Sequence, residues 1–227
     1  MQIENLPLQI PVFVVQNPLV PLFLLIGVWG GPERVYAAVK FLIFTLAGSV
    51  LMLVGIIALY VTLGTLDFKA MALAGESLQP VHQAWLFAAF LAAFAVKVPM
   101  FPVHTWLPDA HTEAPTAGSV ILAGVMLKFG TYGLVRFALQ MTPEAFAQAG
   151  QVILAVGVVS ALYGAFAALA QSDLKKMIAY TSINHMGYVV MGVAVAALTV
   201  DLRIRTIALD GATLQMVSHG LVTGALF

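Results

Sequence analysis

The 227-residue sequence contains no cysteine, and only 9% of its residues are charged. Without cysteine the chain has no disulfide, no thiolate metal ligand, no iron–sulfur ligand and no thiol nucleophile. Its ten basic and ten acidic residues balance, so no net charge favours nucleic acid as a partner. Apolar residues are abundant instead, at 61% of the chain with a mean hydropathy of +0.99. These values indicate an integral membrane protein whose solvent is the lipid bilayer.

Seven apolar runs approach the roughly 20 residues that a membrane-spanning helix requires. Because they are continuous and lack period-two alternation, they exclude a transmembrane β-barrel. Short connections between them predict one transmembrane domain over residues 1–227, an all-α polytopic helical bundle of about seven spans. The last run is short and has no polar stop, so we expect a fragment of a longer subunit. The runs are Leu6–Trp29, Phe41–Leu63, Ala84 to about Phe101, Ala114–Val135, Val152–Ala170, Met177–Val200 and Ala212–Phe227.

Lys97 follows the thirteen uncharged residues Ala84–Val96. Thirteen helical residues rise only about 20 Å against a hydrocarbon core of about 30 Å, which predicts an ammonium group at membrane depth. Pro99 and Pro102 come next and disfavour helix, so the sequence predicts a broken helix near Lys97. Such breaks recur at ion sites in transporters. The alternative is a helix that ends there, with Lys97 reaching back to the interface.

Lys128 lies deeper in its span, after fourteen uncharged residues and with seven more, Phe129–Val135, between it and Arg136. A lysine near the bilayer centre costs about 2.5–3.5 kcal/mol, so it should face protein or water. Gly124, Gly130 and Gly133 predict close approach of neighbouring helices around it. Because removal from water favours the neutral amine, a buried lysine can exchange its proton near neutral pH.

His185 and His219 each lie within a span, and histidine titrates closest to physiological pH of all side chains. This pattern is typical of a proton relay. A purely structural interpretation leaves each histidine hydrogen-bonded between helices, with Ser182 and Asn184 near His185 and Ser218 near His219. A third interpretation makes the two histidines axial ligands of a haem.

The stretch "HTWLPDAHTEAPTAGSV" closely resembles the antiporter-like membrane subunits of respiratory complex I. "AVKVP" before it, "ILAGVMLKFGTYGLVRF" after it, "YTSINHMGY" and "LQMVSHGL" extend the resemblance over about residues 20–227. The chain-M (chain-4) type of proton-pumping NADH:quinone oxidoreductase is the best match. The chain-L type departs in the helix after "EAPT", and monovalent cation/proton antiporters share the lysines but usually lack "HTWLPDAH".

This resemblance implies an inverted-repeat antiporter-like fold in which Lys97 and Lys128 are the central and connecting lysines. His185 and His219 would be relay histidines, so that protons move along all four side chains. The chain itself would carry no redox centre and no cofactor. NADH, FMN, iron–sulfur clusters and quinone are implied on partner subunits of the same translocase, in a bacterial plasma membrane. Alternatives are a cation/proton antiporter or a scaffold subunit that moves no protons.

Gln16 departs from the family pattern. The family usually carries a glutamate five residues before the proline that corresponds to Pro21, and that position is Gln16. An amide can accept a hydrogen bond from an ammonium group, but it cannot gain or lose charge. Gln16 therefore cannot raise or lower the proton affinity of the lysine by gaining and losing charge.

Two further expectations concern the polar and aromatic residues beside the helix break. Asp109 follows Pro108 and is expected to cap a helix start, and Glu113 to lie in the turn between two helices. Trp29, Trp85 and Trp106 are expected to anchor the protein at the membrane interface.

Overall fold

Nine helices make up most of the part of the chain that the computed structural model describes, which is residues 19–75 and 78–227. The helix between residues 116 and 139 contains two π-helical stretches, Leu122–Met126 and Leu134–Leu139. The helices are α1 (Leu19–Trp29), α2 (Arg34–Leu63), α3 (Phe68–Gly75), α4 (Pro80–Lys97), α5 (Trp106–Glu113), α6 (Thr116–Leu139), α7 (Pro143–Leu169), α8 (Leu174–Leu198) and α9 (Leu202–Leu226).

Five of these helices are long and apolar enough to cross a membrane: α2, α4, α6, α7 and α8. The predicted all-α membrane bundle is thus confirmed, although its count of about seven spans is not. The described part of the first run, α1, has only 11 residues. The last run was placed wrongly, because α9 begins at Leu202 rather than Ala212 and has 25 residues. The first part of α9 carries the charged residues Arg203, Arg205 and Asp210, so the apolar run in the sequence begins only after them.

The start of α2, the end of α5 and the start of α8 meet at one face of the bundle. At this face, the Gly31 N–H donates to the Glu113 carbonyl at 3.0 Å, which joins the start of α2 to the end of α5. Lys175 on α8 donates to the Ala114 carbonyl at 2.9 Å at the same face. We call it the Glu113 face.

The helices pack closely where small residues line their contacts. A Cβ at Gly187 of α8 would lie only 2.7 Å from the Ala161 backbone nitrogen on α7. Dispersion contacts and close backbone approach hold membrane helices together, because lipid supplies no hydrophobic force between them. This crossing fixes the part of α8 that carries His185.

The predicted helix break is confirmed: α4 ends at Lys97, and non-helical turns continue to Trp106, where α5 begins. Backbone groups released by such a break must find partners inside the protein. The Trp106 indole N–H donates to the Val96 carbonyl at 3.0 Å, and the Phe101 N–H donates to the Ser160 hydroxyl at 3.0 Å. The expectation that Trp106 is an interface anchor was wrong, because its indole is fully buried and bonded to the break.

Candidate functional site

Lys97 lies at the end of α4 in the interior of the bundle, with only 2% of the residue exposed. It packs against α6, where a Cβ at Gly130 would lie 2.9 Å from the Lys97 Cβ. Only a glycine permits this approach. The alternative in which Lys97 reaches the membrane interface is therefore wrong, and the ammonium is held at the helix break.

Lys128 lies on the α-helical turn of α6 that separates the two π-helical stretches. Its ammonium donates to the Ala123 carbonyl, which lies five residues earlier in the first π-helical stretch. π-Helical turns insert one extra residue and often occur at functional sites. The lysine is half-buried and lines a mostly apolar cleft of about 530 Å³ between α6 and α9.

His219 on α9 is the second partner of Lys128, with its Nδ1 at 2.5 Å from the Lys128 Nζ. The neighbouring Gly220 leaves room for this pair, since a Cβ there would lie 3.3 Å from the Lys128 Cε and 3.2 Å from the Gly124 carbonyl. His219 is 3% exposed. Its Nε2 is buried and has no hydrogen-bond partner among the described residues.

His185 on α8 extends the cluster. Its ring centroid lies 5.6 Å from that of His219, in an edge-on arrangement, and its Nδ1 lies 3.0 Å from the Gln215 amide nitrogen. The hydrogen-bond partners expected for the two histidines were predicted wrongly, because the side chains of those serine and asparagine residues donate to backbone carbonyls instead. Ser182 bonds to Ile178, Asn184 to Ala161 and Ser218 to Gln215.

The structure therefore brings three of the predicted residues together: Lys128, His219 and His185. Lys97 on α4 packs against Gly130 of α6, which lies two residues after Lys128 in the sequence. Gln16 lies outside the described residues. Gly124, Gly130 and Gly133 all lie at helix contacts, with Gly220, Lys97 and Phe94 respectively.

Sequence reasoning missed two buried histidines, His104 and His111. His104 is 3% exposed and its Nδ1 has no partner within the described ranges. His111 is fully buried, stacks on Phe227 with ring centroids 4.6 Å apart, and has no described partner at either ring nitrogen. Their seven-residue spacing in "HTWLPDAH", beside a lysine and prolines, was the available signal.

Asp109 does not cap a helix start, so that expectation was wrong. Thr105 precedes α5, and Asp109 lies in its first turn. Its carboxylate accepts from Lys40 on α2 at 2.7 Å, and this is the one ion pair in residues 19–75 and 78–227. Glu113 lies at the end of α5, where its carboxylate accepts from the Glu33 N–H at 3.0 Å.

The cluster is suited to proton exchange. An ammonium donor and an imidazole nitrogen at hydrogen-bond distance share one proton, which either group can hold. In the described part of the chain, no group of three or more His, Cys, Asp or Glu side chains could hold a metal ion. The chemistry that these residues offer is the acceptance and release of protons.

Fold and site together define a polytopic membrane protein with buried and half-buried lysines and histidines near a broken helix. The family model described as NADH:quinone oxidoreductase/Mrp antiporter, transmembrane, matches residues 12–227. The chain belongs to this family. The family match and the five apolar helices make it an integral membrane protein, as its composition predicts.

Individual relatives agree. NADH-quinone oxidoreductase subunit M of Rhodobacter capsulatus is 48% identical over 220 residues, which cover 92% of this chain and 41% of the relative. A chain of respiratory complex I from Thermus thermophilus with bound NADH matches with a TM-score of 0.76 at 32% identity, over 93% of this chain and 46% of that chain. The Mrp complex from Dietzia sp. DQ12-45-1b matches with a TM-score of 0.81 at 28% identity, over 96% of this chain and 23% of that chain. The sequence thus spans less than half the length of these relatives.

Proposed function

We propose that this chain is a proton-translocating membrane subunit of NADH:quinone oxidoreductase and that protons pass along Lys97, Lys128, His219 and His185. The observation that carries the proposal is the 2.5 Å contact between Lys128 and His219 inside the bundle. The subunit M relative at 48% identity supports the assignment to this complex.

Within this path, the proton passes directly from Lys128 to His219. The Lys128 ammonium donates to His219 Nδ1, which accepts while the ring is neutral and carries its proton on Nε2. When Nδ1 takes the proton, the Nε2 proton is free to leave toward His185. Each histidine thus passes on one proton for each that it receives, and the charge moves without any change of backbone.

Transfer between Lys97 and Lys128 requires water. The two side chains belong to helices that touch at Gly130, and buried polar groups that lack protein partners are usually bridged by ordered water. A proton released by the Lys97 ammonium would move through such water to a neutral Lys128 amine. The helix break supplies the polar surroundings that the water needs.

In the whole complex, NADH, FMN, iron–sulfur clusters and quinone would bind partner subunits, and this chain would carry no cofactor. Other membrane subunits and the lipid bilayer would be its neighbours, with the bacterial plasma membrane as its location. Electron transfer on the partners would drive proton movement in this chain.

Two alternatives share the same residues. The match to the Mrp complex, with a TM-score of 0.81, favours a cation/proton antiporter subunit. Gln16, in place of the family's usual glutamate, favours a scaffold subunit that moves no protons. Transport by the separately reconstituted full-length chain would support the antiporter.

The test compares Lys97→Ala and Lys128→Ala with Lys69→Ala in the full-length subunit, assembled in its complex and reconstituted in sealed vesicles. Lys69 is exposed on α3, so Lys69→Ala is a matched control that also removes one lysine. Quinone reduction and proton uptake are measured together. We expect both buried-lysine variants to assemble and to take up fewer protons per electron, while Lys69→Ala is unchanged. Unchanged uptake in either buried-lysine variant would exclude that lysine from the relay.

A further inference from the structure

Glu113 occupies a position that its own helix does not favour. It is the last residue of α5, where the helix dipole disfavours a negative charge. Among the described residues, the Glu33 side chain before α2 forms no cap hydrogen bond. We propose that Glu113 is a positioning residue for Lys97, because it accepts hydrogen bonds at the start of α2 and thereby fixes the second half of the broken helix. The proposal rests on the proton-transfer function proposed above.

The contact between Glu113 and α2 follows the pattern of a capping box, formed here between two helices. In a capping box, a carboxylate three residues into a helix accepts the N–H of the residue that precedes the helix. Tyr36 has that position in α2, and Glu113 of α5 supplies the acceptor instead, since its Oε2 accepts the Glu33 N–H at 3.0 Å. Its backbone carbonyl accepts the Gly31 N–H at 3.0 Å. One residue thus binds two N–H groups where α2 begins.

The turn before α2 leaves space for this carboxylate. A Cβ at Gly31 would lie 2.5 Å from the Glu113 Oε2, and a Cβ at Gly30 would lie 2.9 Å from the Glu113 carbonyl oxygen. Neither glycine could carry a side chain without a shift of Glu113 or of the turn. The Glu113 side chain is half-buried, so the protein must supply part of its hydrogen bonding. The two glycines therefore fit the end of α5 to the start of α2.

α5 lies antiparallel to α2, and Glu113 is at one end of their contact. Farther along, the Lys40 ammonium bonds to the Asp109 carboxylate at 2.7 Å. At the other end of α5, the ring centroids of Phe41 and Trp106 lie 5.5 Å apart. Packing contacts alone let one helix slide along another, whereas hydrogen bonds require a defined geometry. The bonds of Glu113 therefore help to set the register of α5 on α2.

This register reaches Lys97 through Trp106. Trp106 is the first residue of α5 and is fully buried, and its indole N–H donates to the Val96 carbonyl at 3.0 Å. Val96 directly precedes Lys97. A shift of α5 along α2 would move the indole away from this carbonyl or displace the end of α4 with it. The position of the Lys97 side chain therefore depends on Glu113.

Two substitutions of Glu113 separate hydrogen bonding from charge. Glu113→Gln keeps an acceptor oxygen and removes the charge, whereas Glu113→Ala removes both. Each is made in the full-length subunit and measured in the reconstituted complex, with Glu144→Ala as the matched control because Glu144 is exposed in the first turn of α7. We expect Glu113→Ala to lower proton uptake per electron toward that of Lys97→Ala and to shift the pH dependence of uptake. Glu113→Gln and the control should match the wild type.

The pH profile separates positioning from a purely structural role. A loss of stability alone lowers the amount of assembled complex, but it leaves the pH dependence of uptake per assembled complex unchanged. An unchanged profile in Glu113→Ala would therefore overturn the proposal. A loss in Glu113→Gln as large as that in Glu113→Ala would also overturn it, because the charge and not the acceptor would then be required.

Gly31→Ala tests the same contact from the side of α2. The three atoms nearest to its new Cβ all belong to the Glu113 carboxylate. It should lower uptake when Glu113 is present and cause no further loss in the Glu113→Ala background. Equal losses in the two backgrounds would contradict the proposal. If Glu113→Ala does not assemble, a loss in Gly31→Ala together with normal uptake in Glu113→Gln is still required.

The Lys97→Ala variant distinguishes this proposal from the function on which it rests. If Lys97→Ala lowers uptake and Glu113→Ala does not, only the positioning role fails. If Lys97→Ala itself changes nothing, the proposed function fails as well.

Discussion

Gly130 is the residue whose replacement tests the site geometry most directly. In the Gly130→Ala variant, the new Cβ would lie 2.9 Å from both the Lys97 Cβ and the Val98 Cγ2, and 3.0 Å from the Lys97 carbonyl carbon. Carbon atoms prefer separations of about 3.5–4.0 Å, so α4 and α6 must move apart by roughly 0.5–1 Å. Overpacking of this kind costs about 1–3 kcal/mol. The displacement acts on Lys97 itself.

Gly211→Ala is the matched control, because a Cβ at Gly211 on α9 would meet no described atom within 4 Å. Both variants gain up to about 1 kcal/mol of helix propensity, so this contribution cancels in their comparison. We expect Gly130→Ala to be less stable than Gly211→Ala by about 1–3 kcal/mol and to pump fewer protons per electron. The measurements are thermal unfolding of the detergent-purified complex and proton uptake in vesicles. Equal stability and uptake in the two variants would refute the tight contact between α4 and α6.

Three further predictions address the break, a helix start and the departure from the family pattern. Ser160→Ala removes the acceptor of the Phe101 N–H and should destabilise the protein by about 1–3 kcal/mol in chemical denaturation; an unchanged midpoint would show that water replaces the hydroxyl. Asp201→Ala removes the carboxylate that accepts the Arg203 N–H at 2.8 Å and should cost about 0.5–2 kcal/mol, with quinone reduction unchanged. Gln16→Glu should raise proton uptake per electron if residue 16 couples to Lys97, and equal uptake would make that position dispensable.

The membrane class, the broken helix and the placement of Lys97 were accessible from sequence. Each depends on local information: the length of an apolar run, a charge within it, and prolines directly after it. Lys97 shows this well, since thirteen uncharged residues and Pro99 sufficed to predict a buried ammonium at a break. Burial of the lysine in the structure agrees with that reasoning.

Contacts between residues that are distant in the sequence could not be predicted from such local information. Lys128 and His219 are 91 positions apart, and their contact depends on how α9 crosses α6 at Gly124 and Gly220. The π-helical turns that aim Lys128 at the Ala123 carbonyl also leave no pattern in the hydropathy. Trp106 was predicted wrongly for a related reason, because its amphipathic ring suits an interface and a buried carbonyl equally well.

The helix break is fastened on two sides, by the Trp106 indole to the Val96 carbonyl and by Ser160 to the Phe101 N–H. These two hydrogen bonds oppose bending at the break. The two halves cannot swing independently unless one of these bonds is lost, and each lost bond in an apolar interior leaves an unpaired group that costs about 1–3 kcal/mol. The proton transfer proposed above would then rely on the reorientation of side chains and water around a stationary helix break.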